Sequence, residues 1–287
     1  MKSIKYYDEH NSRPIDLKKD GCDLSNWKEL YSKALFARHS RGFLVFVPPN
    51  ELEMCDEYRE SDPYTVEVDI EGDFQKMRIN CTLDLIQEAI KTIRGIPRIL
   101  DLGCGQGHIT SMIKKEYPNT EISGLDYSLS AIKYAADHFP GIEFIVANAY
   151  NAPYSEGYFD IIVCNNIWEH VPDPLSLLRR IYIISKPSAF LIISTPSRYR
   201  LGNLLRVLRG KPVNLRSKHH VTEYSIGQVI EQINYGRFKA IKMLSKPYGT
   251  SNFKRKAANM FFSFIIFFTG SHHQLESTVF FLAQKNG

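Results

Sequence analysis

Between residues 83 and 194 short apolar runs alternate with stretches in which apolar side chains recur every three to four positions. That alternation is the signature of strands separated by helical crossovers. A helix over Leu83–Thr92 leads to a strand at Arg98–Leu102, helix His108–Tyr117 to strand Glu121–Leu125, and helix Ser130–His138 to strand Ile142–Ala147. The run Phe159–Cys164 is nearly all apolar, as a strand covered on both faces should be. Leu175–Ile184 then reads as a helix before a fifth parallel strand, Phe190–Ser194. A helical stretch at Ser225–Asn234 precedes Phe238–Ser245 and Thr278–Gln284, a strand pair expected to close the sheet as a hairpin-like edge. The pattern predicts a doubly wound, mostly parallel seven-stranded α/β sheet. Residues 1–80 mix charges and aromatics without a long period, apart from Phe43–Val47 before Pro48 and Pro49, and read as an N-terminal extension or cap. The main domain is expected over 81–287, with inserts at 199–218 and 249–275.

A chain of 287 residues with 44% hydrophobic and 23% charged content can bury a full core, which excludes a disordered or collagen-like protein. The five cysteines (Cys22, Cys55, Cys81, Cys104, Cys164) are scattered and form no CxxC pair, so neither a disulfide framework nor a zinc site is expected. The opening segment MKSIKYYDEHNSRP lacks the apolar core of a signal peptide, and no apolar run is long enough to span a bilayer. A cytoplasmic location is the expectation. Charge matters once it is localised: Arg198–Lys256 holds fourteen Lys/Arg against Glu223 and Glu231, or +12, in a chain whose net charge is +5. Such a stretch attracts an anionic partner without distinguishing nucleic acid, an anionic lipid surface or a phosphorylated substrate, or it is a solvated basic face.

The candidate chemistry begins where the first parallel strand turns into a helix, at Asp101-Leu102-Gly103-Cys104-Gly105-Gln106-Gly107. Glycines at alternate positions let backbone approach a ligand, and the helix N-terminus offers free N–H groups. The spacing is GxGxG, with His108 at the sixth position, rather than the GxGxxG that cradles a pyrophosphate, which disfavours NAD and FAD. The acid Asp101 would repel pyrophosphate and suits a ligand carrying a sulfonium and an ammonium group.

Over residues 83–245 the chain resembles the class I S-adenosylmethionine-dependent methyltransferases, the group that includes the ubiquinone and menaquinone biosynthesis enzymes. The resemblance implies a Rossmann-like methyltransferase fold with S-adenosylmethionine as cofactor. It assigns the methionine end of the cofactor to Asp101, Gly103, Gly105 and Gly107, and the ribose hydroxyls to Asp126 in Gly124-Leu125-Asp126-Tyr127-Ser128. A carboxylate at the end of the second strand can accept two hydroxyl hydrogen bonds, although Asp126, like Ser128, can equally cap the next helix. Tyr127 is placed along the adenine, and Asn148-Ala149 stands where the family usually has an acid that reads the adenine amino group. Asn165, at the end of the fourth strand, completes the expected cofactor set.

The segment Asn166-Ile167-Trp168-Glu169-His170-Val171-Pro172-Asp173-Pro174 resembles the family's E-H-V/I-x-D/N-P stretch beside the transferred methyl. His170 is the first candidate general base, and the alternative is that Glu169 and His170 only fix the loop. Some relatives bind a divalent metal with an additional glutamate at the position of Asn166; that set is incomplete here, and no metal is expected. Ser194-Thr195-Pro196-Ser197-Arg198 and His219-His220-Val221-Thr222-Glu223-Tyr224-Ser225 resemble two further family segments that flank an acceptor-pocket insert. His220 is the second candidate base, or a tie between insert and sheet, with Ser225 capping the following helix.

The run 254–268 sets a basic triplet before an aromatic-rich apolar stretch, which reads either as a peripheral membrane contact, at the inner membrane face, or as a buried helix lining the substrate mouth. The function predicted is methyl transfer, to oxygen above all, of a small-molecule or carrier-linked acceptor: quinone-like, glycan or lipid-linked. An RNA methyltransferase would use the basic stretch, but the N/D-P-P-Y/F tetrad of amino-methylating nucleic-acid enzymes is replaced by Cys164-Asn165-Asn166-Ile167. Cys164, inside an apolar strand after Val163, reads as core rather than as a cytosine C5 nucleophile. A non-catalytic S-adenosylmethionine-binding assembly protein is the third reading.

Overall fold

The structure, a computed structural model, describes residues 5–54, 71–246, 253–268 and 275–286. Residues 1–4, Cys55 and the ends of the expected 249–275 insert (249–252 and 269–274) lie outside the described residues.

The N-terminal region forms β1 (Tyr7–Asp8), β2 (Arg13–Pro14), β3 (Gly21–Asp23), α1 (Trp27–Leu30), β4 (Phe36–Arg38), β5 (Leu44–Val45) and α2 (Pro49–Met54). After α3 (Asp73–Ile90), β6 (Arg98–Leu102), α4 (His108–Glu116), β7 (Glu121–Asp126), α5 (Leu129–His138) and β8 (Glu143–Val146) make the first half of the winding. The second half is β9 (Phe159–Asn165), α6 (Pro174–Ile184), β10 (Ser185–Pro196), α7 (Leu201–Val207), α8 (Ile226–Tyr235), β11 (Phe238–Leu244), α9 (Phe253–Phe268) and β12 (Thr278–Lys285).

The strand order is β11-β12-β10-β9-β6-β7-β8-β5-β4-β3. Strands β6 to β10 are parallel, and β12 runs antiparallel between β10 and β11. The chain enters this core at β6, winds outward through β7 and β8, and returns to the other side at β9, so the crevice between β6 and β9 at their carboxyl ends is the expected ligand position. The expected seven-stranded core is therefore present, and the N-terminal region extends it: β5 pairs parallel with β8 through Leu44–Ile145 and Val45–Val146, and β4 and β3 follow.

The central strands alternate between two cores. Leu100, Leu102, Ile162 and Ile193 pack with α6 and α8, whereas Ile99, Ile161, Val163 and Ile192 pack under α3 and α4. Each such side chain stabilises the fold by about 1.5–3 kcal/mol. A third cluster joins Trp27, Phe43 and Val45 to Phe144 and Ile132 on α5, with the Trp27 indole N–H donating to the Val47 carbonyl at 2.9 Å. That burial holds the N-terminal region against the domain.

Two elements depart from the sequence expectation. Helix α3 begins at Asp73, ten residues before the expected Leu83, because Met77, Ile79 and Cys81 continue its buried stripe across the expected boundary at residue 80. Strand β10 begins at Ser185 and carries a register irregularity before Phe190, with Ser188 at φ +60°.

Candidate active site

The glycine loop is shaped by conformation before any ligand is considered. Gly103, Gly105 and Gly107 all have positive φ, at +74°, +53° and +78°. A Cβ on Gly103 would lie 3.0 Å from Ile167 Cδ1, and one on Gly107 would lie 2.9 Å from the Phe144 ring. Side chains are thus excluded twice, by backbone angle and by space. The N–H groups of Gly103 and Cys104 donate to the Leu125 carbonyl at 2.8 and 3.0 Å, which fastens the loop to β7.

Asp126, at the end of β7, accepts from Gly105 N–H at 2.7 Å and from Ser128 N–H at 2.9 Å. The cap of α5 is Ser128, whose hydroxyl accepts from Ala131 N–H at 3.2 Å. Ser128, not Asp126, therefore does the capping, and the Asp126 carboxylate stands at the mouth of the loop.

Asp101 is buried on the α3 and α4 side of the sheet and accepts a 2.6 Å hydrogen bond from Thr110. Burial pushes its carboxyl up to about 6, against the pull of the Thr110 hydrogen bond and of Arg78, with Asp126 adding to the rise. Asn165 faces the same side, since β9 pairs Val163 with Asp101 and Asn165 lies two residues on. Its Nδ2 donates to Thr82 at 2.9 Å, and its buried Oδ1 accepts nothing from the described residues. A buried carboxyl and an unused buried amide oxygen under one helix match the donors of an ammonium group. Together with the glycine cradle and Asp126, this donor set fits S-adenosylmethionine.

Tyr127 is held at its hydroxyl, which donates to Glu51 of α2 at 2.8 Å, so the N-terminal region reaches the cofactor side. Asn148 Oδ1 accepts from Tyr150 N–H at 3.0 Å, starting a short 3-10 turn at Ala149, and retains a second lone pair.

The second half of the site gathers residues fifty positions apart. Asn166, at φ +54°, turns the chain after β9, and its Nδ2 donates to Glu169 Oε1 at 2.9 Å. Glu169 is buried, its other oxygen accepts from Thr195 at 3.1 Å, and its carbonyl receives Val221 N–H at 2.8 Å. Burial raises the Glu169 carboxyl above its ordinary range, opposed by the Asn166 hydrogen bond and by the charge of His220. The Trp168 indole donates to Gln232 on α8 at 2.8 Å, locking the same loop from below.

The two histidines meet. The His170 and His220 rings stand edge to face with centroids 5.0 Å apart. His220 Nδ1 lies 2.9 Å from Glu223 Oε1, and the Glu223 side chain is wholly buried. Glu223 also receives the Arg200 guanidinium and the Arg216 N–H. Burial pushes its carboxyl up, but these hydrogen bonds outweigh it and hold the group below its ordinary value as a carboxylate. A carboxylate at Nδ1 fixes the tautomer that leaves Nε2 as the basic nitrogen. Glu169, His170 and His220 also offer ligand atoms within 4.8 Å of one another, a spacing that can hold a divalent cation.

The residues that sequence reasoning missed are Arg78 and Thr82 on α3 and Glu223 behind His220. Arg78 and Thr82 precede the expected helix start, and the signal available was the apolar stripe of Met77, Ile79 and Cys81 beside them.

Residues 96–233 match the family model of a methyltransferase domain. That stretch, just under half of the chain, is similar to methyltransferase domains. The chain is 33% identical over 123 residues to a ubiquinone biosynthesis O-methyltransferase of Bordetella avium, covering 40% of this chain and 49% of that one. The chain thus spans about half the length of this curated relative. Among solved structures, the methyltransferase fold is shared with a putative methyltransferase of Bacillus halodurans (TM-score 0.51, 15% identity, 71% of this chain and 98% of that one). It is shared as well with a SAM-dependent methyltransferase of Archaeoglobus fulgidus (TM-score 0.50, 19% identity, 74% and 97%). S-adenosylmethionine is the cofactor that this domain implies, and Asp101, Asp126 and the three loop glycines are where the methyltransferase domain would hold it.

Proposed function

We propose that the protein transfers the methyl group of S-adenosylmethionine to an acceptor hydroxyl, with His220 as general base and Glu223 as its positioning carboxylate. The observation that carries this reading is the buried Glu223–His220 pair against His170, on a loop whose Ile167 touches the Gly103 turn. Bound at that turn, the cofactor supplies an electrophilic methyl on a sulfonium. His220 Nε2 would take the proton of the acceptor hydroxyl as that oxygen receives the methyl group that S-adenosylmethionine would supply, leaving the neutral thioether. The carboxylate of Glu223 stabilises the imidazolium that results. His170, edge-on to His220, orients the acceptor hydroxyl. Asp101 and Asn165 hold the ammonium of the methionine end, Arg78 beside Asp101 serves its carboxylate, Asp126 accepts the ribose hydroxyls, and Tyr127, Asn148 and Ala149 flank the adenine.

The relative that is a ubiquinone biosynthesis O-methyltransferase supports oxygen as the methylated atom and a quinone-like, small or lipid-linked acceptor. Transfer of radiolabelled methyl into a fractionated extract of the source cells tests this, with Asp126→Ala as the control for cofactor binding. Label in a hydroxylated aromatic or lipid fraction, lost in His220→Ala, is the expected result. Label in RNA would reverse it in favour of the basic stretch as a nucleic-acid groove. A rate abolished by chelation and restored by magnesium would turn Glu169, His170 and His220 from base and positioning groups into ligands.

A further inference from the structure

Helix α9 carries a row of exposed apolar side chains. It is sixteen residues long, with no charged side chain from Ala257 to Phe268. A burial between β11 and β12 would have made it the lining of a substrate mouth. Instead Met260, Phe261, Phe264, Ile265, Phe267 and Phe268 are all exposed, Met260 at 74% and Phe267 at 78%. At 3.6 residues per turn these six fall within an arc of about 160° on one side of the helix, and the half-buried Phe262 and Ile266 fall on the other. An exposed apolar face of that size does not stay in water without a purpose.

Charge identifies what covers it. Between Glu231 and Glu276 the chain has no acidic residue and seven Lys/Arg, three of them consecutive (Lys254, Arg255, Lys256) at the start of α9. Lys242 and Lys246 are engaged by Glu88 and Asp84 of α3, and in the sequence the triplet directly precedes the apolar stretch of the helix. The neighbouring insert continues the pattern: Leu208 is 71% exposed beside Arg206 and Arg209, whose guanidinium groups donate to the uncharged Pro212 and Leu205 carbonyls and so keep their charge. A protein surface would meet aromatic residues with some acid of its own, whereas an anionic bilayer presents acyl chains beneath a negative plane, and both terms are matched here. The helix is about 24 Å long, short of the about 30 Å of a hydrocarbon core, and no helix among the described residues is long and apolar enough to cross a membrane.

We propose that α9, with the basic triplet that opens it, docks the protein on an anionic lipid surface, its aromatic face lying in the headgroup boundary. Topology gives the docking a consequence. Strand β12 starts at Thr278 opposite Pro196, the end of β10, and Leu201 N–H donates to the Leu275 carbonyl at 3.0 Å. Helix α9 therefore leaves and rejoins the sheet at its carboxyl edge, the edge that carries His170, His220 and the glycine loop. A docked protein presents that edge to the bilayer, where an amphiphilic acceptor would enter.

The test is cosedimentation of the full chain with phosphatidylcholine vesicles, with and without phosphatidylglycerol, at low and high salt. It reads partition rather than methyl transfer, so it stands or falls separately from the proposed activity. Partition onto the anionic vesicles is expected to fall about tenfold or more in the triple variant Phe261→Ser, Phe264→Ser, Phe268→Ser, whose positions are solvent-exposed and leave the thermal unfolding midpoint unchanged. A triple Lys254→Gln, Arg255→Gln, Lys256→Gln variant is expected to lose the salt-dependent part, about tenfold or more. Equal partition of the aromatic variant and the unaltered chain overturns the proposal, as does equal binding to neutral and anionic vesicles. So does absence of vesicle binding by an unaltered chain that is dimeric in solution and monomeric in the aromatic variant, which assigns the face to a second copy.

Discussion

The two halves of the site are built on opposite principles. The proposed cofactor half centres on one short stretch, Asp101 to Asp126, where one strand, one glycine loop and the next strand place two carboxylates and three glycines, with Asn165 added from β9. The acceptor half draws His170 from the loop after β9 and His220 from the insert after β10, and joins them through Glu169, which binds the Val221 and Thr222 N–H groups with its backbone carbonyl. A site made of neighbours in sequence is rigid by local geometry. A site made of distant loops depends on polar partners, here the buried Thr195 and Glu223 and the half-buried Asn166 and Arg200, to hold it in register.

That contrast can be broken from either side. The largest effect is expected for His220→Ala, which removes the proposed base and should lower methyl transfer by about 10²- to 10⁴-fold, while S-adenosylmethionine affinity by calorimetry stays unchanged. Equal loss of cofactor affinity would mean the two halves are not separable. Asp126→Ala is the converse: removing the carboxylate that braces Gly105 and is proposed for the ribose should weaken the cofactor by about 100-fold or more, at about 1.5–3 kcal/mol for each charged hydrogen bond. An affinity within threefold of the parent would remove Asp126 from the cofactor site.

Gly103→Ala tests the point where the halves touch. A Cβ at φ +74° facing Ile167 should cost about 1–2 kcal/mol, read as a thermal midpoint lower by about 3–8 °C. It should also reduce methyl transfer, because Ile167 is on the His170 loop. A comparable effect, read through pH, concerns Asp101. Its folded carboxyl is raised to about 6 from an ordinary 3.8, so the folded state binds the extra proton and stability falls as pH rises between those values. Chemical denaturation from pH 4 to 7 should show this decline, about 1–3 kcal/mol in all, and Asp101→Asn should flatten it. A flat profile in the unaltered protein would mean that Asp101 ionises freely.

Much of this was legible in the chain. Periodicity located all seven core strands, because a strand buried on both faces is nearly all apolar, as Phe159–Cys164 is. The glycine loop was legible because positive φ at alternate positions leaves few other residues possible. The start of α3 was not, since the charged and polar residues Arg78, Asn80 and Thr82 interrupt the apolar stripe that carries it back to Asp73. Nor was the pairing of Leu44 and Val45 with β8, because two-residue strands have no period to read.

The sequence by itself determined the doubly wound sheet, the order of its strands' chemistry and the cofactor loop, all of which follow from interactions between residues close in the chain. Tertiary structure alone decided that His220, rather than His170, receives the buried carboxylate, that the two rings meet at 5.0 Å, and that the apolar face of α9 lies outside the core. Those outcomes depend on which distant surfaces pack together, and hydrophobic periodicity reports that a face is apolar without stating what covers it.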